Sequence, residues 1–374
     1  MMNECEAMAI LVSAQSISYG MREQALARTG SALRLLEDPY AQEAIIGVQG
    51  VSAIRRALNG AGKLLAGLQR DGVQLIVRGG DGYPEQLACT AKPPHLLFCM
   101  GKPDLCDALP VAIVGTRRAD GYGIRHTRRI ARELAEKGAC IVSGLALGVD
   151  ASAHWGALDA GGRTVAVLGS ALDRLYPQEN RALMARILEC GGSVVSEYPP
   201  DVAPTKYSFV QRNRIVAGLS LGVLVTQAPY KSGALSTVNY ALEEGREVFA
   251  LPGDIDRFGS QLPNKLISEG AHPVGTAQDM LPLLQGGAAQ GTPEKKRKDR
   301  EEKAQQIAMR PAGPARQLDP MEQRIYDQLL AGDMDFDALC ARTGIAEDEL
   351  GSLLMMLELD GIVVSLPGPA YRLT

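Results

Sequence analysis

Between residues 110 and 251 the chain alternates two patterns. Runs of consecutive apolar, largely β-branched residues ("VAIVG", "ACIVSG", "TVAVLG", "SVVSE", "LGVLVTQA", "REVFALPG") are separated by stretches such as "YGIRHTRRIARELAEKG" and "QENRALMARILECGG" with helical spacing. Strands that read as unbroken apolar runs are covered on both faces, and strands that alternate with helices join as parallel βαβ units. The pattern predicts a doubly wound α/β domain with a mostly parallel sheet. Its ligands belong outside the carboxyl ends of the strands, near a topological switch point.

The flanks read differently. Residues 1–70 break into short helical segments at glycines, a small helical module, and from "VQLIVRGGDGYPEQL" onward short apolar runs take over, placing the α/β domain at 71–285. Residues 286–317 are rich in Gly, Pro, Ala and mixed charge with almost no bulky apolar side chains, the composition of a flexible linker. Residues 318–374 carry a helix, the segment "FDALCARTG", a second helix "EDELGSLLMMLELDG" and two short strands around "PGP", a winged helix-turn-helix pattern.

Charge changes the meaning of that last module. The whole chain of 374 residues has a formal net charge of -4, but residues 318–374 hold three Lys/Arg against eleven Asp/Glu. Its recognition-helix segment offers Glu347, Asp348, Glu349, Glu358 and Asp360 and no cation, a surface that phosphates repel. A protein-contact or regulatory role, rather than DNA reading, is therefore expected of it. The basic run "KKRKDR" in the linker reads as solvated charge.

Composition narrows the remaining classes. With 46% hydrophobic and 22% charged residues the chain is globular, and no apolar run is long enough to span a membrane. The first residues lack the basic start of a signal peptide. Seven scattered cysteines without a CxxC pair argue for a reducing compartment, the cytoplasm, and against structural zinc. No cofactor or metal is expected.

Candidate chemistry sits at the strand ends. Gly115, Thr116 and Arg117, then Ser143 and Gly144, Gly169 and Ser170, and Lys231, Ser232 and Gly233 place small residues and donors where loops meet helix starts, a pattern suited to phosphate oxygens. The segment "SFVQRNRIVAG" adds Phe209, Arg212 and Arg214, with Lys206 just before it. Two arginines two residues apart diverge in mid-helix and converge best at a helix start, where backbone N–H groups already favour an anion. The other reading, one surface Arg and one Arg paired with a carboxylate, stays open. Phe209 is either a base-stacking face or a core residue capping the helix. Together these cations and one aromatic ring suit single-strand binding. Catalytic patterns are sparse: Asp150 and His154 lie four apart and read as a structural pair, and no nucleophile or metal set accompanies them. "VAIVGTRRADGYG" is not GxGxxG and no acidic residue ends the next strand, which excludes a dinucleotide oxidoreductase.

The motifs "SGLALGVDASAH", "TVAVLGSALDRLYPQEN", "SEYPPDVAPTKYSFVQRNRIVAGLS", "KSGALSTVNYALEEGREVFALPGD" and "NKLISEGAH" occur in order and resemble the DNA-processing protein A (DprA/Smf) family over residues 75–279. The resemblance implies an extended Rossmann-like domain between a SAM-like helical module and a winged helix. It implies a cytoplasmic, non-enzymatic, dimeric single-stranded DNA-binding protein that protects DNA in natural transformation and loads a RecA-type recombinase. Carried over by position, Arg117, Lys206, Arg212 and Lys231 hold phosphates and Phe209 stacks on a base. The chain departs from the family pattern at "FVQRNR", at Ala171 and at Leu262. The rival class is a nucleotide hydrolase or phosphoribohydrolase using the same pocket, with Glu243 or Glu244 as acid/base residue. An adaptor working through its terminal modules is a third.

Overall fold

The structure, a computed structural model, describes residues 2–105, 109–289, 318–330, 332–359, 362–365 and 370–373. Its centre is a nine-stranded sheet in the order β1-β2-β6-β5-β4-β3-β7-β8-β9. The strands are β1 (Gln74–Val77), β2 (Leu96–Gly101), β3 (Leu109–Val114), β4 (Ala139–Ser143), β5 (Thr164–Leu168), β6 (Ser193–Ser196), β7 (Gly222–Val225), β8 (Glu247–Ala250) and β9 (His272–Pro273). From β6 to β9 every pairing is parallel, and β1 and β2 extend the sheet antiparallel at one side. The strand order reverses between β3 and β7, which is the switch point the doubly wound pattern requires.

The apolar runs divide by the two-residue period of a strand. Ala112, Val114, Cys140, Val142, Val165 and Val167 face one core, under α9 (Lys206–Gly218), α10 (Ala234–Glu243) and α11 (Gln261–Ser268). Val111, Ile113, Ile141, Leu224 and Phe249 face the other, under α6 (Gly121–Glu136), α7 (Val149–Asp159) and α12 (Leu281–Ala289). The helical module of α1 (Glu4–Ser13), α2 (Tyr19–Thr29), α3 (Ala32–Glu37) and α4 (Glu43–Arg70) shares a core with Leu96, Phe98, Leu168 and Val194, beyond α8 (Arg181–Glu189). The short α5 (Glu85–Ala88) follows β1.

The C-terminal module has α13 (Pro320–Leu329), α14 (Phe336–Thr343), α15 (Glu347–Leu359) and a small sheet β10-β12-β11 (Met334–Asp335, Ala370–Leu373, Val363–Ser365), closed around Ile325, Leu339, Leu350 and Leu354. This is the winged-helix order. Helix α12 runs to Ala289, four residues into the segment read as linker, and the rest of that segment, 290–317 with its basic run, lies outside the described residues. No described helix is long and apolar enough to cross a membrane.

Two interior polar groups have a structural use. Arg214 lies nine residues into α9 and does not approach the strand-end loops with Arg212. Its guanidinium bonds both carboxylate oxygens of Glu197 and donates to the Lys92 carbonyl at 2.6 Å. The carboxylate-paired reading of that arginine is the one observed, and its assignment to DNA is corrected on this ground: with side chains 11% and 19% exposed, the pair is a closed interior contact. Asp150 and His154 do not bond each other. His154 Nδ1 lies 2.7 Å from Thr164 Oγ1, whose own proton goes to the Ile141 carbonyl, so Nδ1 carries the imidazole proton. Its buried Nε2 has no partner among the described residues, and burial, with Arg212 nearby, pushes the His154 pKa down to about 3.

Two expectations follow. Arg214→Ala strands a nearly buried Glu197 carboxylate and is expected to cost about 3–5 kcal/mol in urea unfolding, with Glu197→Gln milder because the amide keeps one bond. His154 is neutral in the fold and titrates near 6.5 when unfolded, so below that pH the unfolded state binds the extra proton. Stability is therefore expected to fall by about 1.4 kcal/mol per pH unit from this one residue as pH drops from 6.5 toward 3. His154→Gln, measured by unfolding at several pH values, flattens that slope whatever its effect on absolute stability.

Candidate nucleic-acid interface

Helix α9 begins at the carboxyl edge of the sheet because Thr205 caps it. The Thr205 hydroxyl accepts from Ser208 N, and Ser208 Oγ accepts from Thr205 N, both at 3.0 Å. Ser208 Oγ also donates to the Gly169 carbonyl, tying the first turn of α9 to the end of β5. Lys206 occupies the first helical position and is exposed.

One turn on, Arg212 does what neither reading of the sequence anticipated. It sits seven residues into the helix, only 5% exposed, and Nη1 donates to the carbonyls of Gly144, at 2.6 Å, and Val167. Nε bonds Asn213 Oδ1 at 3.1 Å. Among the described residues no acceptor reaches Nη2, and the side chain lines a pocket of about 30 Å³ at the carboxyl edge, room for a water or two. A helix-start cluster of two arginines is thus replaced by one buried arginine that presents a single free edge. Burial pulls its guanidinium pKa down and the nearby Asp150 opposes this. Asp150 in turn is raised by burial, against the pull of Arg212 and of the Ala146 and Gly144 amides that it accepts at 3.4 and 3.1 Å.

Above Arg212 the pocket is walled by Phe209, Tyr176, Leu147 and Arg117. The Arg117 guanidinium lies 5.1 Å from the Phe209 ring centroid, within cation–π range, and the Tyr176 ring is 5.6 Å away on a 50° tilt. Phe209 is half-buried: its base packs against Gly169 at the end of β5 and its ring lines the pocket. Glycines make this closeness possible. A Cβ on Gly169 would lie 2.6 Å from Phe209 Cδ1, and one on Gly144 would overlap the Arg212 guanidinium.

Several predicted contacts have other occupations. Thr116 N donates to the Gln227 carbonyl at 2.7 Å and Gly144 N to Asp150, so these amides are not open to a phosphate as the strand-end pattern suggested. Ser143 is fully buried with Oγ on the Ile113 carbonyl, and Ser170 is buried. Gly115 is packed against Gln227 and Val149. Lys231 is exposed after β7, and Ser232 and Gly233 are used at the start of α10, where Ser232 Oγ accepts from Ala234 N and Asn213 Nδ2 reaches the Gly233 carbonyl. The structure therefore brings Arg117, Gly144, Phe209 and Arg212 to one pocket, with Lys206 and Lys231 on the same edge. Tyr176 was missed. It stands in "DRLYPQEN", and its exposed aromatic ring beside a proline was the available signal.

The switch point itself is filled. Gln227 Oε1 accepts from Asp120 N at 3.0 Å, and the side chain packs against Gly123 and Gly259, where a crevice would otherwise open between β3 and β7. Glu243 and Glu244 end α10, about 15 Å along the helix from its carboxyl-edge start, so neither approaches the pocket. No cluster of metal-ligating side chains occurs among the described residues.

The family described as DNA recombination-mediator protein A matches residues 74–285, and the DprA winged helix domain matches residues 309–369. Protein Smf of Escherichia coli is 38% identical over 317 residues, covering 83% of this chain and 80% of its own length. The crystal structure of DprA from Streptococcus pneumoniae superposes with a TM-score of 0.64 at 34% identity, covering 75% of this chain and 98% of that one. DprA from Helicobacter pylori, whose structure was described for its single-stranded DNA binding mode, has a TM-score of 0.51 at 37% identity and covers 57% and 96% of the two chains. On matched domains, on identity across most of its length and on fold, this chain belongs to the DNA-processing protein A (DprA/Smf) family.

Proposed function

We propose that the protein is a sequence-tolerant single-stranded DNA-binding protein that acts by binding rather than turnover. The observation that carries this is the Phe209 ring, in contact with Arg117 and Tyr176, lining one pocket with the Arg212 guanidinium. A base has an aromatic face to stack on, and the adjoining phosphate meets a guanidinium that needs no reorganisation. Lys206 and Lys231 extend the positive edge to either side, along which a backbone runs. The pocket is too small to enclose a nucleotide, which suits an extended strand lying across the edge rather than a mononucleotide held inside. The binding mode described for the Helicobacter pylori relative supports this reading.

In this proposal the strand is protected and handed to a RecA-type recombinase in transformation and recombination, and the protein works in the cytoplasm as a homodimer through the α/β domain. Its modules are residues 1–70, the binding domain 71–285, a linker 286–317 and the winged helix 318–374. The mononucleotide-enzyme alternative has no comparable support, because Gln227 fills the switch-point crevice and Glu243 and Glu244 stand at the far end of α10.

Fluorescence anisotropy with labelled oligo-dT and its duplex across a salt series tests the reading. Wild type is expected to prefer the single strand, with affinity falling steeply as salt rises. Arg117→Ala, Lys206→Ala and Lys231→Ala each lower the salt slope by about one and weaken all sequences alike. Phe209→Ala is expected to lose about 1–3 kcal/mol with the slope unchanged, since a stacking contact releases no counterion. Equal affinity for duplex and single strand, or slopes unaltered in all three cation variants, overturns the assignment.

A further inference from the structure

The winged-helix module carries a surface whose partner lies in the same chain. In a helix-turn-helix, the exposed face of the second helix is the one that enters a nucleic-acid groove. Here that helix is α15, after the turn at Gly344, and it packs against α9. The fit is close: a Cβ on Gly351 would overlap the Tyr207 ring, so glycine at that position lets α15 seat on α9. Phe336, first in α14, stacks on Tyr207 with ring centroids 6.2 Å apart and planes 15° from parallel, and Tyr371 of β12 closes on Phe336 at 6.5 Å. Burial raises the hydroxyl pKa of Tyr207, Tyr240 and Tyr371, which lie close enough to act on one another electrostatically.

Charge follows the same geometry. Glu347, Gly351 and Glu358 lie at spacings of four and seven, on one face of α15. Glu347 acts on Arg22 of α2 and on Tyr207, Glu358 on Tyr240, and Asp337 of α14 on Lys92. Glu347 and Glu358 of that acidic segment therefore lie near the body of the protein, while Glu349 is exposed. Tyr207 stands in the first turn of α9, immediately after Lys206 and two residues before Phe209, so the docked module borders the positive edge.

We infer that the recognition-helix face of this winged helix is a docking surface for α9, and that the acidic module, seated on the residue next to Lys206, limits single-strand binding along that side. This rests on the single-strand reading of the edge. A strand that reaches past Lys206 meets the acidic module and either stops there or displaces it. The module is thus a built-in competitor, and anything that draws it away exposes more of the edge.

Full-length Gly351→Leu tests this. The leucine is forced into the Tyr207 ring and is expected to release the module, seen as a larger radius of gyration in small-angle scattering without DNA. Oligo-dT affinity at low salt is expected to rise about 5-fold, with the gain shrinking as salt screens the carboxylates. Tyr207→Ala removes the same contact from the other side and serves if the leucine variant fails to fold. Release with unchanged or weaker affinity overturns the competitor role. An unchanged radius in both variants overturns the docking surface itself. Because release is read without DNA, and single-strand binding is read on wild type, failure of this inference is distinct from failure of the function proposed above.

Discussion

The carboxyl edge of the sheet depends on one buried guanidinium. Arg212 reaches from α9 beneath the Phe209 ring to the carbonyls that end β4 and β5, at Gly144 and Val167, so a single side chain fixes a helix against two strand ends. A buried cation is tolerable only where its donors are met, and here backbone carbonyls and Asn213 meet most of them. Asp150 supplies a compensating charge without touching the guanidinium, since its oxygen is taken by the amides of Gly144 and Ala146. The loop after β4 is consequently held from both sides, its carbonyl by Arg212 and its amide by Asp150. This is how a flat strand end becomes a rigid floor.

Rigidity there serves what lies above. Phe209 can face outward because Gly169 lets its base approach the sheet, and Arg117 can rest on its ring because the loop after β3 is anchored through Thr116 to Gln227. The same Gln227 fills the crevice that doubly wound folds ordinarily offer to nucleotides. The open pocket is thereby found not at the switch point but at the carboxyl ends of β4 and β5. A fold known for enclosing a cofactor presents an open edge instead, with the aromatic and cationic character of a surface that tracks a strand.

Two acidic elements are taken up by α9 away from the pocket. Glu197 is consumed by Arg214, and the acidic helix α15 packs on α9 at Tyr207, beside the helix start. Helix α9 is thus the hinge of the molecule's charge distribution, with a pocket-lining arginine, a structural arginine and a tyrosine that receives the winged helix within eight residues. The divergence of Arg212 and Arg214 follows from the 200° between residues two apart on a helix.

Much of this was legible in the chain. Unbroken apolar runs alternating with helices determined the parallel sheet, because each strand has to bury both faces, and the spacing of motifs determined the family. The acidity of residues 318–374 already argued against a nucleic-acid reader. What the tertiary structure decided was the occupation of polar groups. From sequence, Arg212 and Arg214 are equivalent cations in "RNR", and only the position of α9 against β4, β5 and Glu197 distinguishes them. Thr116, Ser143 and Gly144 look like open donors until the loop after β7, strand β3 and the first turn of α7 bring Gln227, Ile113 and Asp150 to them. Tyr176 and Phe209 lie 33 residues apart and become neighbours only because β5 and α9 meet at one edge. Periodicity reports which side of an element is buried, but a hydrogen bond needs a partner, and partners come from elements distant in sequence.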